Sequence, residues 1–314
     1  MWLNLWIIEI CCPVMQALQS NLRIPCSFTP LPADHVILPT NSATQQPALA
    51  VSNESVYKKM IKLNRSKAHG PDGIPGWVLK ENADLLAVPI ADILNSSYRE
   101  GRLPPSGKEA DVVPVPKQRP VQDINKHLRP ISQTPILSKI AEEYVVDTNV
   151  KPAVLSKTDP QQFGKVPKSS TTHALISMIH SWAKSTDGNG STTRVLLFDF
   201  RKAFDLIDHH VLASKLSSYD IPRSISCGII DFLMDCKQRI KLSRDCFSEW
   251  EAVPAAVLQG TKLGPWLFLI VINDLSVADD TSLLKYVDDT NLVQSVSKNE
   301  TSYMQLRVDE LVRQ

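Results

Sequence analysis

Apolar residues recur at helical spacing through Val56, Met60 and Leu63, with Ser52 placed to cap that helix. The pattern from Trp77 to Arg99 predicts a mostly helical stretch, with Pro89 as a kink or boundary and Gly101 as its stop. Asp111-Val112-Val113-Pro114-Val115 reads as a short strand at a sheet edge, because proline has no N–H for the ladder. Ile131 to Val146 reads as a helix after an irregular start, and Thr171 to Trp182 as a further amphipathic helix. Val195-Leu196-Leu197-Phe198 is a continuous apolar run, the pattern of a buried strand, and it ends in Asp199-Phe200. Leu206, Leu212 and Leu216 suit a helix, and Ile225, Ile229 and Leu233 suit the next. Arg239 to Leu242 and Trp250 to Val253 read as a hairpin, and Leu263 to Leu275 as a helix. Two short apolar runs, Leu283 to Val287 and Asn291 to Val293, read as strands around a tight turn at Asp288-Asp289-Thr290.

Chemistry gathers at the ends of these predicted strands. Adjacent carboxylates at a hairpin tip repel, and each raises the pKa of the other unless a cation offsets them. A hard divalent ion does so, choosing carboxylate oxygen and leaving positions for substrate phosphate. Asp199, far away in sequence, joins Asp288 and Asp289 if its strand neighbours theirs in one sheet. Converging carboxylates of this kind hold paired metals about 3.5–4 Å apart, the geometry of in-line displacement at phosphorus. Asp279-Asp280 is also an acidic pair, but it lies in a polar loop with no strand leading into it, and reads as surface. His209-His210 lacks the spacing of a metal pair and reads as helix surface. Asp205 and Asp208 suit the first turn of a helix, where the macrodipole favours negative charge.

Composition narrows the class. The chain has 314 residues, 43% apolar and 21% charged, enough for a real core and too ordered a mixture for wholesale disorder. Its formal net charge is +1, bland for a partner of nucleic acid, although residues 51–140 carry fourteen Lys/Arg against nine Asp/Glu. The six cysteines contain no C-x-x-C pair, which weakens a zinc reading. No secretory signal is evident, so the thiols are expected reduced and the protein intracellular, in cytoplasm or nucleus. The apolar start from Met1 to Ile8 is interrupted by Glu9 and Pro13 before about 20 spanning residues accumulate, so no membrane partner is expected. Residues 1–50, rich in Pro, Ser, Thr and Gln after residue 24, read as an irregular leader.

A family resemblance follows from the order of the motifs. Phe198-Asp199-Phe200-Arg201-Lys202-Ala203-Phe204-Asp205, then Gln259-Gly260-Thr261-Lys262-Leu263-Gly264-Pro265, then Tyr286-Val287-Asp288-Asp289 resemble motifs A, B and C of reverse transcriptases. The nearest likeness is to the polymerase of non-LTR, LINE-like, jockey-type retrotransposons. Ser66 to Pro75 and Leu128 to Ser132 resemble finger motifs of that group, and Gln162-Phe163-Gly164 with Ser170-Thr171 resembles the segment before motif A. A lone Asp-Asp is weak evidence; ordered blocks from about Val51 onward are strong evidence.

The resemblance implies an α+β right-hand polymerase fold, with fingers and an antiparallel palm backed by helices, and with the thumb missing. It implies fingers with part of the palm over residues 51–190 and the palm with its motifs over 191–314. Asp199, Asp288 and Asp289 would be catalytic and hold two Mg2+ or Mn2+ ions, helped by the carbonyl of Phe200. Phe204 would be the aromatic gate against a 2′-hydroxyl, and Gln259 and Gly260 would lie under the incoming nucleotide. Lys117 as a point charge and Arg129 as a bidentate fork would hold the triphosphate. The implied partners are an RNA template, a DNA primer and dNTPs. The rival expectation is a catalytically inactive retroelement remnant with weak nucleic-acid binding. A two-metal nuclease would use similar carboxylates but leaves Phe204 and Gln259-Gly260 unexplained.

Overall fold

A computed structural model describes residues 49–313 except 188–189, 201–202, 254 and 279–280, together with Met15 and Leu31. The expectations for the apolar start, for most of the leader and for Asp279-Asp280 lie outside the described residues. The principal elements in chain order are α1 (Asn53–Ile61), α2 (Gly76–Glu81), α3 (Ala83–Glu100), β1 (Glu109–Pro116), β2 (Leu128–Gln133), α4 (Ile136–Val145), α5 (Thr171–Thr186) and β3 (Thr192–Asp199). There follow α6 (His209–Leu216), α7 (Arg223–Leu233), β4 (Lys237–Ile240), β5 (Glu251–Ala252), α8 (Gly264–Ile272), β6 (Thr281–Tyr286), β7 (Asp289–Val296) and α9 (Met304–Arg313). The chain forms two compact units, each discontinuous in sequence: Met1–Ala153 with Phe204–Trp266, and Val154–Ala203 with Leu267–Gln314.

In the first unit the caps and breakers act close to where the sequence puts them. Ser52 Oγ accepts the Ser55 N–H at 3.2 Å and starts α1, which buries Val56 and Met60. The stretch expected as one helix is divided at Asn82, whose backbone leaves the helical region, while Pro89 sits inside α3. Gly101 closes α3 with φ 64°, the left-handed conformation that glycine adopts without a Cβ penalty. Its sheet has the order β2-β1-β4-β5.

Three expectations are corrected here. β1 is not an edge strand: β4 runs parallel to it along Glu109–Val112. Pro114 and Pro116 lie beyond that stretch, where only β2 is alongside, so their missing N–H groups cost no bond to β4. Ile131 continues β2, and the helix starts only at Ile136, after Pro135. His209 is not on a helix surface. It is 3% exposed, its ring nitrogen Nε2 lies 2.8 Å from the Ala256 carbonyl, and burial pushes its pKa below the ordinary value. Its neighbour Asp208 does cap α6, accepting the His210 N–H at 2.7 Å.

The second unit is built on an antiparallel sheet of order β3-β7-β6. Alternation along β6 and β7 sends Leu284 and Val293 to one face, against Met178 of α5, and Leu283 and Leu292 to the other, against Leu311 of α9. β3 departs from expectation. Its run is not buried: Leu197 is 72% exposed, and Val195 and Leu196 are each 37% exposed. Among the described residues the strand has one hydrogen-bonded neighbour, β7, and the apolar packing of α5 and α9 centres on β6 and β7. Among the described residues, no helix is long and apolar enough to cross a membrane.

Candidate active site

The second unit brings carboxylates together. In the β3–β7 ladder Asp199 is the direct partner of Asp289. Partners of this kind stand on one face with Cβ atoms about 4.5–5.5 Å apart. Tyr286 pairs with Asp289, so the hairpin loop is Val287-Asp288. The turn therefore falls one residue earlier than expected: Asp288 rides the loop, and Asp289 is the first residue of β7. Asp199 and Asp289 are exposed and Asp288 is half-buried. Among the described residues none of these carboxylates is paired with a cationic side chain. Like charges directly opposite across a ladder destabilise it, and hard oxygen donors in that position suit a divalent cation. The donor chemistry of the Asp199–Asp289 pair thus fits such an ion. No set of three His, Cys, Asp or Glu side chains among the described residues is grouped for metal binding. Phe200, next to Asp199, sets its ring edge against Phe268 with centroids 6.3 Å apart.

The loop carrying Asp288 is held from below. Val287 has φ 59°, a region that costs a β-branched residue about 1–3 kcal/mol. Gln162, 5% exposed, accepts the Val287 N–H at 3.0 Å and the Gly164 N–H at 2.9 Å through one oxygen. Phe163 N–H donates to the Lys285 carbonyl at 2.8 Å, and Lys285 N–H to the Gln161 carbonyl at 2.9 Å. Lys285 itself was missed by sequence reasoning, although a lysine inside the run Leu283 to Val287 is a signal. Its buried ammonium pairs with Asp159 at 2.6 Å and donates to the carbonyls of Ile272, Asn273 and Leu275 at the end of α8. A cation at a helix C-terminus also complements the macrodipole.

The remaining candidates belong to the first unit. Lys117 and Arg129 sit at the end of the β1–β2 hairpin that its connecting loop closes, both exposed, with Lys117 N–H donating to the His127 carbonyl at 2.8 Å. Arg129 pairs with Val115, so strand alternation puts Arg129 and Lys117 on one face. The loop Gln259-Gly260 is stitched to β2, since Ser132 N–H donates to the Gln259 carbonyl at 2.8 Å. Gly260 has φ 105°, and a Cβ there would lie 2.8 Å from the Ser132 carbonyl oxygen, so only glycine fits. Gln259 Nε2 donates to Asp205 Oδ1 at 3.4 Å across a cleft of about 20 Å³ that Ser132, Gln238 and Leu258 also line. Phe204 is tied to the same region through its carbonyl, which accepts the Val257 N–H at 2.9 Å. Phe204, Gln259 and Gly260 thus share a neighbourhood. Arg129, opposite in alternation to Pro130 and Ser132, points away from that cleft.

Glu142, also missed from sequence, fixes the approach to α8. Its Oε2 accepts the N–H groups of Lys262 at 2.6 Å and Leu263 at 3.1 Å, while Oε1 has no partner. Burial raises its pKa from 4.5 to about 7, against the lowering effect of those bonds. The folded chain therefore keeps a proton that the unfolded chain releases. The associated stability is present below pH 4.5 and is lost as pH rises to about 7. Glu142→Gln cannot lose that proton. Relative to the wild type it should gain roughly 1–3 kcal/mol between those pH values and nothing further above them. Urea unfolding of both proteins across the range checks this.

Comparison with known proteins adds an independent line. Residues 115–313 match the family model described as reverse transcriptase (RNA-dependent DNA polymerase). The RNA-directed DNA polymerase from mobile element jockey of Drosophila melanogaster is 26% identical over 255 residues, covering 78% of this chain and 27% of that protein. Its counterpart in Drosophila funebris is 25% identical over 232 residues, covering 73% and 25%. The probable RNA-directed DNA polymerase from transposon BS of Drosophila melanogaster is 25% identical over 258 residues, covering 79% and 28%. The chain thus spans about a quarter of the length of these relatives. Among solved structures, apo telomerase from Candida tropicalis truncated from its C-terminal domain aligns over 79% of this chain and 55% of that one, with a TM-score of 0.46 and 11% identity.

Proposed function

We propose, because this chain belongs to the reverse transcriptase family, that it carries polymerase machinery for adding deoxynucleotides to a primer 3′-hydroxyl on an RNA template. It is related to the polymerases of jockey- and BS-type mobile elements. The single observation that carries the reading is the register of Asp199 against Asp289, with Asp288 on the adjoining loop and no cation paired to any of them among the described residues. Asp199, Asp288 and Asp289, with the Phe200 carbonyl, would hold Mg2+ or Mn2+. Bound divalent ions would supply an activated 3′-hydroxyl and neutralise charge on the leaving pyrophosphate. The chain's own part is to set Asp199 directly opposite Asp289, with Asp288 on the adjoining loop. Gln259-Gly260 would support the nucleotide, and Lys117 and Arg129, on the hairpin face turned away from the Gln259 cleft, would meet phosphate oxygens from that other face. A palm around β3, β6 and β7, and a division into fingers with part of the palm over 51–190 and palm over 191–314, belong to the same proposal.

A second reading, a catalytically silent remnant that binds nucleic acid weakly, is favoured by the lack of a three-donor group among the described residues. Primer extension on poly-rA/oligo-dT with Mg2+ or Mn2+ separates the two. Slow, template-dependent addition of dTMP supports the polymerase. Primer-template binding with no addition under either metal supports the remnant.

Phe204 gives a test of sugar selection. If its ring excludes a 2′-hydroxyl, Phe204→Ala should lower the preference for dTTP over UTP by roughly tenfold or more, as loss of a shape contact does. The ratio of kcat/KM for the two nucleotides measures it. An unchanged ratio assigns Phe204 to packing.

A further inference from the structure

Gln162 is nearly buried and does not belong to the carboxylate set, yet its side-chain oxygen ties the strand hairpin that carries Asp288 to its own segment. One of its hydrogen bonds goes to Val287 N–H, the residue before Asp288, at 3.0 Å, and the other to Gly164 N–H at 2.9 Å. Gly164 leaves no slack: a Cβ there would lie 2.5 Å from Val287 Cγ2 and 2.6 Å from Val287 N. The same segment is paired to the hairpin through the bonds of Phe163 and Gln161 with Lys285. Val287 meanwhile has φ 59°, which a β-branched residue holds only when its surroundings enforce it. A loop in that state relaxes when its brace is removed, and Asp288 moves with it.

We infer that Gln162 is a positioning residue for divalent-metal binding, acting through the Val287-Asp288 loop; this rests on the proposed reading of Asp199, Asp288 and Asp289 as metal ligands. The amide oxygen is the working atom. It satisfies two backbone donors at once, and each would otherwise be left without a partner in a part-buried setting. Groups that orient metal ligands without touching the metal typically carry about 10–100-fold in affinity.

The test is Mn2+ binding to residues 1–314, followed by the electron paramagnetic resonance signal of free Mn2+, with the thermal transition of each variant recorded alongside. Gln162→Met keeps the length and loses the acceptor, and should weaken Mn2+ binding about 10–100-fold while the chain stays folded. Gln162→Glu keeps an oxygen for both amides and should stay within about threefold of wild type, a rescue that simple loss of stability does not produce. Gln162→Asn, one methylene shorter, should behave as Gln162→Met, and it carries the comparison if Gln162→Met does not fold. Equal Mn2+ affinity in wild type, Gln162→Met and Gln162→Asn would overturn the positioning role. Wild-type binding that is insensitive to Asp288→Asn would instead overturn the carboxylate reading, and the inference with it.

Discussion

Asp288→Asn and Asp199→Asn should each lower single-nucleotide addition by about 10²–10³-fold or more, the scale seen when one preorganised electrostatic contact to a transition state is removed. The substitution is nearly isosteric, and at Asp199 it removes one negative charge from a place where the ladder sets like charges against each other. Folding should therefore not suffer, and the stability of Asp199→Asn should equal or slightly exceed that of the wild type. That combination, lost activity with retained stability, separates a functional carboxylate from one that caps a turn. Single-turnover incorporation of dTMP, with a melting curve on the same preparation, reads both. A variant that loses stability and activity together would return Asp199 to a structural role.

Lys285→Ala should have the opposite profile, a large loss of stability. The ammonium is buried and meets Asp159 and the carbonyls of Ile272, Asn273 and Leu275. Removing one partner of a buried ion pair costs about 3–5 kcal/mol, because the remaining charge is left uncompensated. Asp159 is still partly exposed, with 25% of its side chain accessible, which places the expected loss at the lower end of that range. The damage should concentrate in the second unit, where β6 and the end of α8 lose their common tie. Denaturant unfolding gives the magnitude. Lys285→Met, which fills the same space without the charge, should recover packing and leave the cost of the unpaired Asp159 and of the carbonyls of Ile272, Asn273 and Leu275 that lose their donor. A fall in midpoint of similar size for both variants would show that charge, not volume, is what the site requires.

These outcomes also mark where local sequence patterns suffice. The strands on either side of Asp288 and the run leading to Asp199 are short, apolar and bounded by polar turns, so both were legible. So were α1 with its Ser52 cap, the Gly101 stop and the Asp208 cap, each a local event within one helical turn. What failed depended on neighbours distant in the chain. The run from Val195 to Phe198 looks buried because apolar residues fill it, but strand order decided its exposure, and β3 lies outermost in the order β3-β7-β6. Pro114 suggests an edge, yet β4 covers only the other half of β1. His209 reads as helix surface and Lys285 passes unnoticed inside an apolar run, and each is buried because a backbone carbonyl from elsewhere in the chain receives it. The position of the hairpin loop was one residue off because Asp289 spends its backbone on the ladder with Tyr286. The bracing by Gln162 was invisible for the same reason: residues 162 and 287 meet only in the folded unit.

The central claim is that Asp199 and Asp289, neighbours across one ladder, act as a single metal site. A double-mutant cycle on Mn2+ affinity tests it most directly, using wild type, Asp199→Asn, Asp289→Asn and the double variant. If the carboxylates share an ion, each single substitution should remove most of the affinity, and the double variant should bind little worse than either, a strong non-additivity between residues in contact. Additive losses, or Mn2+ affinity unchanged by either single substitution, would contradict the account.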